Sequence, residues 1–571
     1  MNKKSTIVII LLEILFGVQI QAQEFEAASK AVTNMGVGWN LGNTLEANNQ
    51  TNHDFTKDNY WGQQGLDSET CWGQATTKPE FIKMMKEAGF SAIRVPVTWY
   101  NHMDKDGKVN TDWMKRVHEV VDYVINEGMY CIINVHHDTG ADNTKFTSWI
   151  KADEANFSQN QTRYEYLWQQ IAEEFKDYGQ HLLFESYNEM LDKLSSWCFA
   201  SYASTNKYDA AVATSAYNAI NSYAQSFVTT VRNTGGNNAT RNLVVNTYAA
   251  CCGSGTWNSH LKEPLSQLTI PTDPATHTEN HLIVQVHDYP NIEYGIDNAK
   301  KEIDDMVAAW NTYIISKGIP MILGEWGTAN VDKGDGKTDY DVRRDVMFEF
   351  VDYMVKKCKE NNVATFYWMG LSDGAFRSQP LFSQPDLAET IVKAYYGNTD
   401  SFKYPKAGSG ADFLCFEGEK ALSWGDGISI NSAVFKVYDK SANLELTYNI
   451  TENSGADIQL YYADWSEKPS FYVDGKSYNA DYNPSGSKGT SATANITFSE
   501  SVYNTIKQKG LIIHGTGVTL TKAIMKSGTT GISATTYTPS TNQPIYNLQG
   551  QRISKPKKGI YIQNGKKYIA K

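Results

Sequence analysis

TDWMKRVHEVVDYVINEGMYCIINVHHDTG, residues 111–140, is the stretch whose reading decides the fold. Trp113, Val117, Val120, Val121, Val124 and Ile125 recur at helical spacing and form one apolar stripe. Gly128 follows as a C-terminal cap, and residues 130–136 then run as a short apolar strand. The same unit recurs along the chain. Candidate strands fall at residues 36–40, 92–97, 130–136, 182–186, 243–246, 282–287, 319–323 and 364–368, with helical stripes between them. Val346, Phe350, Val351, Met354 and Val355 make another such stripe, and Gly89 and Gly318 repeat the cap before a strand. Eight strand–helix repeats predict an α/β protein with a (β/α)8 TIM barrel rather than an open sheet.

Outward from that core the texture changes at both ends. Lys3 and Lys4 precede an apolar run over residues 7–20 and the exit Gln21-Ala22-Gln23, the pattern of a secretory signal peptide cleaved after Ala22. Residues 23–400 are assigned to the barrel, and 401–411, with Gly and Ser near its end, to a linker. Residues 412–526 alternate over 433–438, 444–450, 458–462, 494–498 and 518–524 and read as a β-sandwich, with one helical pattern at 501–509. A second linker, 527–542, leads to a short β tail, 543–571, carrying a strand at 560–563. The linker predicts that a chain ending near residue 400 folds and works alone.

A length of 571 residues exceeds what one core organises. The net charge of −11 argues against nucleic acid or anionic membrane as partner. No segment after the N-terminal one has 18 uninterrupted apolar residues, so no membrane span is expected. Seven cysteines, an odd number, argue against a disulfide framework, and Cys131 and Cys358 read as small core hydrophobes.

Active sites on such barrels sit at the C-terminal ends of the strands. Those ends carry Asn40 and Asn43, Arg94, His136 and His137, Asn188 and Glu189, His287 and Tyr289, Glu325, and Trp368. Each alone is explained as a soluble strand end. Two glutamates, an arginine and histidines converging on one rim are not. The set suits glycosidic cleavage, whose oxocarbenium-like transition state needs one carboxylate to stabilise charge and a carboxylic acid to protonate the leaving oxygen. Asn188 would bind a sugar 2-hydroxyl, Arg94 would keep a neighbouring carboxylate ionised, and Trp368 would offer a flat apolar platform. Asn43 and His137 stand as further substrate contacts. No cofactor and no metal is expected.

The strings GWNLGNTLEA (38–47), IRVPVTW (93–99), NVHHD (134–138), FESYNEM (184–190), VHDYP (286–290), ILGEWG (322–327) and FYWMG (366–370) resemble glycoside hydrolase family 5. They come in family order over roughly residues 30–397, nearest the subfamily 4 endoglucanases of cellulose, mixed-linkage glucan, xyloglucan and sometimes xylan. The resemblance implies a retaining endo-β-1,4-glucanase acting on a polysaccharide, with Glu189 as acid/base and Glu325 as nucleophile. It further implies that Arg94 and Tyr289 hydrogen-bond the nucleophile, that His136 and His287 line the subsite of cleavage, and that Trp368 is the sugar platform. The doubled histidine that includes His137 occurs in part of the family, and Met369 stands where relatives often carry Asp or Asn. Xyloglucanase, β-mannanase and xylanase share this catalytic set. A non-catalytic glycan-binding protein is disfavoured because both glutamates are present.

Other features carry less. His136-His137-Asp138 suggests a metal site, but neighbours on a strand point to opposite faces. Residues 332–336 resemble part of a calcium loop without its spacing and read as a turn. A regular strand puts Glu185 on the side of Tyr187 and Glu189, where a structural hydrogen bond explains it. Trp61, Trp72, Trp99, Trp149, Trp197 and Trp326 divide between cleft and packing. In the sandwich, Trp424, Tyr461, Tyr462 and Trp465 are candidates for stacking on sugar, against a plain spacer. The segment 546–571 resembles C-terminal sorting or anchoring tails of secreted Bacteroidetes proteins, which implies secretion machinery as a partner and a secreted or cell-surface location.

Overall fold

The computed structural model describes residues 25–527 except 49–63, 140–147, 193–207, 255–259, 276, 329–337, 408–411, 426, 439 and 480, together with the backbone of short strands between residues 545 and 570. The N-terminal leader, Trp61, Trp197 and the turn at 332–336 lie outside the described residues.

Eight apolar runs form eight strands: β1 Val37–Asn40, β2 Ala92–Val95, β3 Tyr130–Asn134, β4 Leu182–Glu185, β5 Leu243–Cys251, β6 Leu282–Asp288, β7 Met321–Trp326 and β8 Ala364–Trp368. They pair in chain order, all parallel, and β1 closes on β8 from Val37↔Thr365 to Asn40↔Trp368. The helix Thr111–Asn126 begins at Asn110, whose side chain accepts from the N–H groups of Asp112 and Trp113, and it buries Trp113, Val117, Val120, Val121 and Val124. Six more helices of nine or more residues pack around the barrel in the same way, among them Arg344–Glu360, which buries Phe350, Val351, Met354, Val355 and Cys358.

The two-residue period of each strand builds the interior in layers. A lower layer of Ala92, Ile132, Leu183, Val244, Ile283, Ile322, Ala364 and Phe366 joins Ala28, Ala31, Val32 and Met35 of the helix Ala28–Met35 in one buried cluster. That helix runs into β1 and so closes the N-terminal end of the barrel. Two residues further along each strand the inward side chain turns polar: Asn40, Arg94, Asn134, Glu185, Asn246 and Gln285, all fully buried. Missing side chains make room for both layers. A Cβ on Gly38 would lie 2.5 Å from the Phe366 ring, and one on Gly324 would lie 2.3 Å from Gln285.

Beyond the barrel, ten strands form a two-sheet sandwich. They are β9 Phe413–Ala421, β10 Ile428–Ile430, β11 Asn443–Ile450, β12 Asp457–Tyr462, β13 Phe471–Val473, β14 Lys476–Tyr478, β15 Asp481–Tyr482, β16 Ser491–Thr497, β17 Leu511–Thr516 and β18 Val518–Lys526. One sheet has the order β10-β17-β12-β15 and the other β14-β13-β16-β11-β18-β9. Residues 433–438, read as a strand, are instead the short helix Ser432–Lys436, because Asn431 caps it through the Ala433 N–H. Alternation over so few residues does not separate the two. Four short strands of the tail form a separate antiparallel sheet.

The sandwich is not merely strung behind the barrel. Phe376, in the loop after β8, is 1% exposed and belongs to the sandwich core, with Phe413 at 4.8 Å between ring centroids. Gln379 donates to the Leu414 carbonyl and accepts from its N–H, both at 2.8 Å, and Lys436 pairs with Asp341 at 2.9 Å. These contacts oppose the expectation of an autonomous barrel. A chain ending at residue 400 uncovers Phe376 and should lose about 1.5–3 kcal/mol from that ring alone. The expected result is a lower melting temperature and aggregation on purification. Undiminished stability of the shortened chain would show the contact to be idle.

Candidate active site

Arg94 occupies the centre of the polar layer. All five of its N–H donors are used. Nε donates to Glu185 Oε2 at 2.6 Å, Nη2 to Glu185 Oε1 and Asn188 Oδ1 at 2.8 Å each, and Nη1 to Glu325 Oε1 at 2.7 Å and Asn40 Oδ1 at 3.0 Å. Burial opposes the guanidinium charge, but Glu185 and Glu325 outweigh it and hold Arg94 above its ordinary value. Burial likewise pushes Glu185 up, and Arg94 outweighs it, so the Glu185 carboxyl sits below the usual range. Glu185 is therefore the structural hydrogen-bonding partner foreseen for it.

Glu325 reaches this layer because β7 breaks its own alternation. Ile322 points inward, and regular pleating would send residue 324 inward and Glu325 out among the helices. The register slips instead, so that His287 pairs with Glu325 beside Gly324, and Trp326 turns outward onto Phe350. The Glu325 carboxylate then accepts from Arg94 on Oε1 and from the Tyr289 hydroxyl on Oε2, each at 2.7 Å.

Glu189 lies past the end of β4. The strand stops at Glu185 and Tyr187 turns into the helix layer, with its hydroxyl on the carbonyls of Ile220 and Asn246, so the regular continuation expected through 189 does not occur. Asn246 donates to the carbonyls of Tyr187 and Asn188, and the Asn188 N–H donates to the Val135 carbonyl, which fixes the segment before Glu189. Glu189 Oε1 is 2.9 Å from His287 Nδ1, and the other ring nitrogen of His287 meets Gln285 Nε2 at 3.1 Å. Burial pushes Glu189 up to about 7, with Arg94 pulling it down and Glu185 adding to the rise. One carboxylate oxygen of each glutamate and a His287 nitrogen lie within 4.8 Å of one another.

Among the described residues, the rest of the rim is made of histidines and aromatic side chains. Burial, His137, Arg94 and His287 push His136 well below its ordinary value, and burial with Arg94 takes His137 down to about 4. His287 also falls to about 4, chiefly through burial, with Glu325 acting against it. His136 is parallel to the half-buried Trp368 ring (6.1 Å, 8°), and that indole rests on Gly42, where a Cβ would come within 3.0 Å. Asn43, next to Gly42, takes a left-handed φ of 58° and its N–H donates to Glu46; it bonds neither catalytic candidate. His137 leans against Trp72 at 5.4 Å.

β3 ends at Asn134, so His136 and His137 do not diverge as strand neighbours would; their rings meet edge to face at 4.6 Å. Asp138 is turned away to the N–H groups of Trp99, Tyr100 and the Trp149 indole, which uses it up structurally. Trp99, Trp149 and Trp326 are buried packing, and Trp72 belongs to the rim. Sequence reasoning missed Asn134, which donates to Glu185, along with Asn246 and Gln285. A polar residue two places after an inward apolar one was their only signal.

A closely spaced carboxylic pair, one member held by Arg94 and Tyr289 and the other raised to about 7 by burial, is the pairing that glycosidic cleavage uses. The sequence model "Cellulase (glycosyl hydrolase family 5)" matches residues 50–373. The chain belongs to that family. It is 32% identical to endoglucanase B of Neocallimastix patriciarum over 60% of this chain and 64% of that one. Endoglucanase A of Clostridium longisporum is 30% identical over 61% and 60%. The chain thus matches less than two thirds of the length of each of these relatives. Among solved structures, a GH5-4 broad specificity endoglucanase from an uncultured bacterium is 62% identical with a TM-score of 0.62, over 67% of this chain and 99% of that one. A family 5 enzyme of Prevotella bryantii, in a mutant form complexed with a xyloglucan tetradecasaccharide, is 38% identical with a TM-score of 0.55, over 66% and 99%.

Proposed function

We propose that the protein is a secreted retaining endo-β-1,4-glucanase. The observation that carries the retaining mechanism is the separation of Glu189 and Glu325, whose nearest oxygens are within 4.8 Å. Retaining enzymes hold their carboxyl groups about 5–5.5 Å apart, whereas inverting ones leave about 6.5–9.5 Å for a water. Glu325 attacks the anomeric carbon as the glycosidic C–O bond breaks, and Glu189 gives its proton to the departing oxygen. Water then attacks the same carbon, loses a proton to Glu189, and releases Glu325. The amide N–H2 of Asn188, whose oxygen is occupied by Arg94, faces a sugar 2-hydroxyl, and Trp368 stacks on the ring.

A β-1,4-glucan backbone is supported by the relatives, whose names include endoglucanases, a broad specificity endoglucanase and a xyloglucan complex. Cellulose derivatives, mixed-linkage glucan and xyloglucan should therefore lose viscosity quickly with little early glucose. Monosaccharide released from chain ends from the outset would sink the endo reading, and preference for mannan or xylan would move the substrate. The leader at residues 1–22 and the sorting-like tail support an extracellular or cell-surface location.

Glu189 must be protonated to act, so kcat/KM should fall about tenfold per pH unit above about 7. Its folded value lies above the ordinary 4.5, so the stability it contributes is present in acid and lost as pH rises from 4.5 through about 7. Glu189→Gln should remove both the alkaline limb, measured on aryl glycosides with good leaving groups, and that slope in the denaturation midpoint. An unchanged alkaline limb would assign it to another group.

A further inference from the structure

The outer face of the sheet β10-β17-β12-β15 carries an aromatic cluster unrelated to the barrel site. Trp424 is 68% exposed and Trp465 is 42% exposed, unusual for the largest apolar side chain in a folded protein. Alternation explains which residues lie beneath them. Ile458, Leu460 and Tyr462 of β12 and Leu511 and Ile513 of β17 point into the sandwich core, so Tyr462 is packing and not a sugar contact. Tyr461 and His514 point outward on the neighbouring strands. Ring centroids join them into one patch: Tyr461–Trp465 at 5.1 Å, and His514 to Tyr461, Trp465 and Trp424 at 4.9, 5.5 and 5.5 Å.

Both indoles are held in place. Trp465 takes a left-handed φ of 58°, a conformation costly for a bulky residue, in a turn whose Asp464 is paired with Lys509 at 2.8 Å. Gly427 lets the Trp424 turn lie on β17, since a Cβ there would sit 2.1 Å from the Ile513 carbonyl and 3.0 Å from His514 Cβ. At the centre, His514 is fully buried under the rings, and neither of its ring nitrogens has a hydrogen-bond partner. Unsatisfied buried groups of this kind are rare and costly. Around them Lys468 pairs with Asp481 at 3.0 Å and Lys509 with Asp464 at 2.8 Å, so neither lysine is left as a free cation, and Asp457 is held by neutral donors of Gln459 and Thr516.

We propose that this face is a second glycan-binding site, in which Trp424 and Trp465 stack on a neutral β-linked glucan chain and sugar hydroxyls reach the polar groups between them. Flat exposed rings match the C–H faces of equatorial sugars, the absence of a free cation among the described residues of the patch fits a neutral rather than an acidic glycan, and a hydroxyl between the indoles offers His514 the partner the sheet does not. The glucan class rests on the function proposed for the barrel. The site would keep the enzyme on an insoluble chain while the barrel cuts.

The test uses the full chain carrying Glu325→Ala, so that polysaccharide is not consumed, and measures depletion onto insoluble cellulose and retardation in gels containing mixed-linkage glucan, xylan or mannan. Adding Trp424→Ala or Trp465→Ala should weaken retention by β-glucan about tenfold each, with Trp→Phe partly restoring it. Melting temperature should stay that of the parent. Retention unchanged by the double substitution overturns the proposal, as does a change in sedimentation without a change in retention, which marks the patch as a contact between copies. Loss of xylan or mannan retention alone overturns the glucan assignment while leaving β-glucan hydrolysis, assayed on the parent enzyme, as the separate test of the barrel.

Discussion

Glu325→Ala is expected to lower kcat on β-glucan by about four to six orders of magnitude while the chain stays folded. Among the described residues the other carboxylates beside Glu325 are engaged: Glu185 is locked by Arg94, and burial raises Glu189 to about 7, which favours its protonated form. Azide should restore turnover by entering the space the side chain leaves, and its product should have the inverted, α configuration. In Glu189→Ala the glycosyl-enzyme still forms, so azide should there give the β product. Wild-type hydrolysis should release the β-anomer first. An α-anomer as first product, or a folded Glu325→Ala enzyme near normal rate, would end the assignment.

Arg94→Ala should be the most damaging single change to stability. Removing the guanidinium leaves Glu185, fully buried, without its charge partner, and takes two donors from Asn40 and Asn188. Breaking a buried pair in this way costs about 3–5 kcal/mol. The sign with pH follows from Glu185, which Arg94 holds below its ordinary value: its stabilising part is present above that value and lost as the folded carboxyl protonates in acid. Denaturant midpoints of wild type and variant should therefore converge as pH falls. A gap equal at neutral and acid pH would show that packing, not charge, is what Arg94 supplies. Arg94→Lys should rescue little, because one ammonium cannot serve five acceptors in fixed directions.

The barrel was legible because each of its strands is apolar on both faces and separated by helices with a clear stripe. Arg94, Glu185, Glu189 and Glu325 were legible because charge stands out where an apolar run stops, and Tyr289 through the motif that carries it. The bulge at Gly324 was not. Nothing local distinguishes ILGEWG from a regular strand, and only pairing with both neighbours reveals which of Gly324 and Glu325 faces in. Asn134, Asn246 and Gln285 were likewise quiet, since single amides within apolar runs announce no direction until eight strands are closed around them. The helix Ser432–Lys436 was lost to the opposite problem, a stretch short enough for either period to fit.

Phe376 also bears on where such a chain can be cut and rejoined. By composition the natural seam is the glycine-rich stretch before residue 412, and an engineer or a recombination event would choose it. The ring of Phe376 and the two bonds of Gln379 cross that seam. They are anchored in the same loop that carries Ser372 and Arg377, which donates to the carbonyl of Gly42 beneath the Trp368 indole. A foreign module grafted at residue 400 would leave Phe376 uncovered in the loop whose Arg377 supports Gly42 under the Trp368 indole. The transferable piece ends after Lys526, and domain shuffling in this lineage should respect that longer unit.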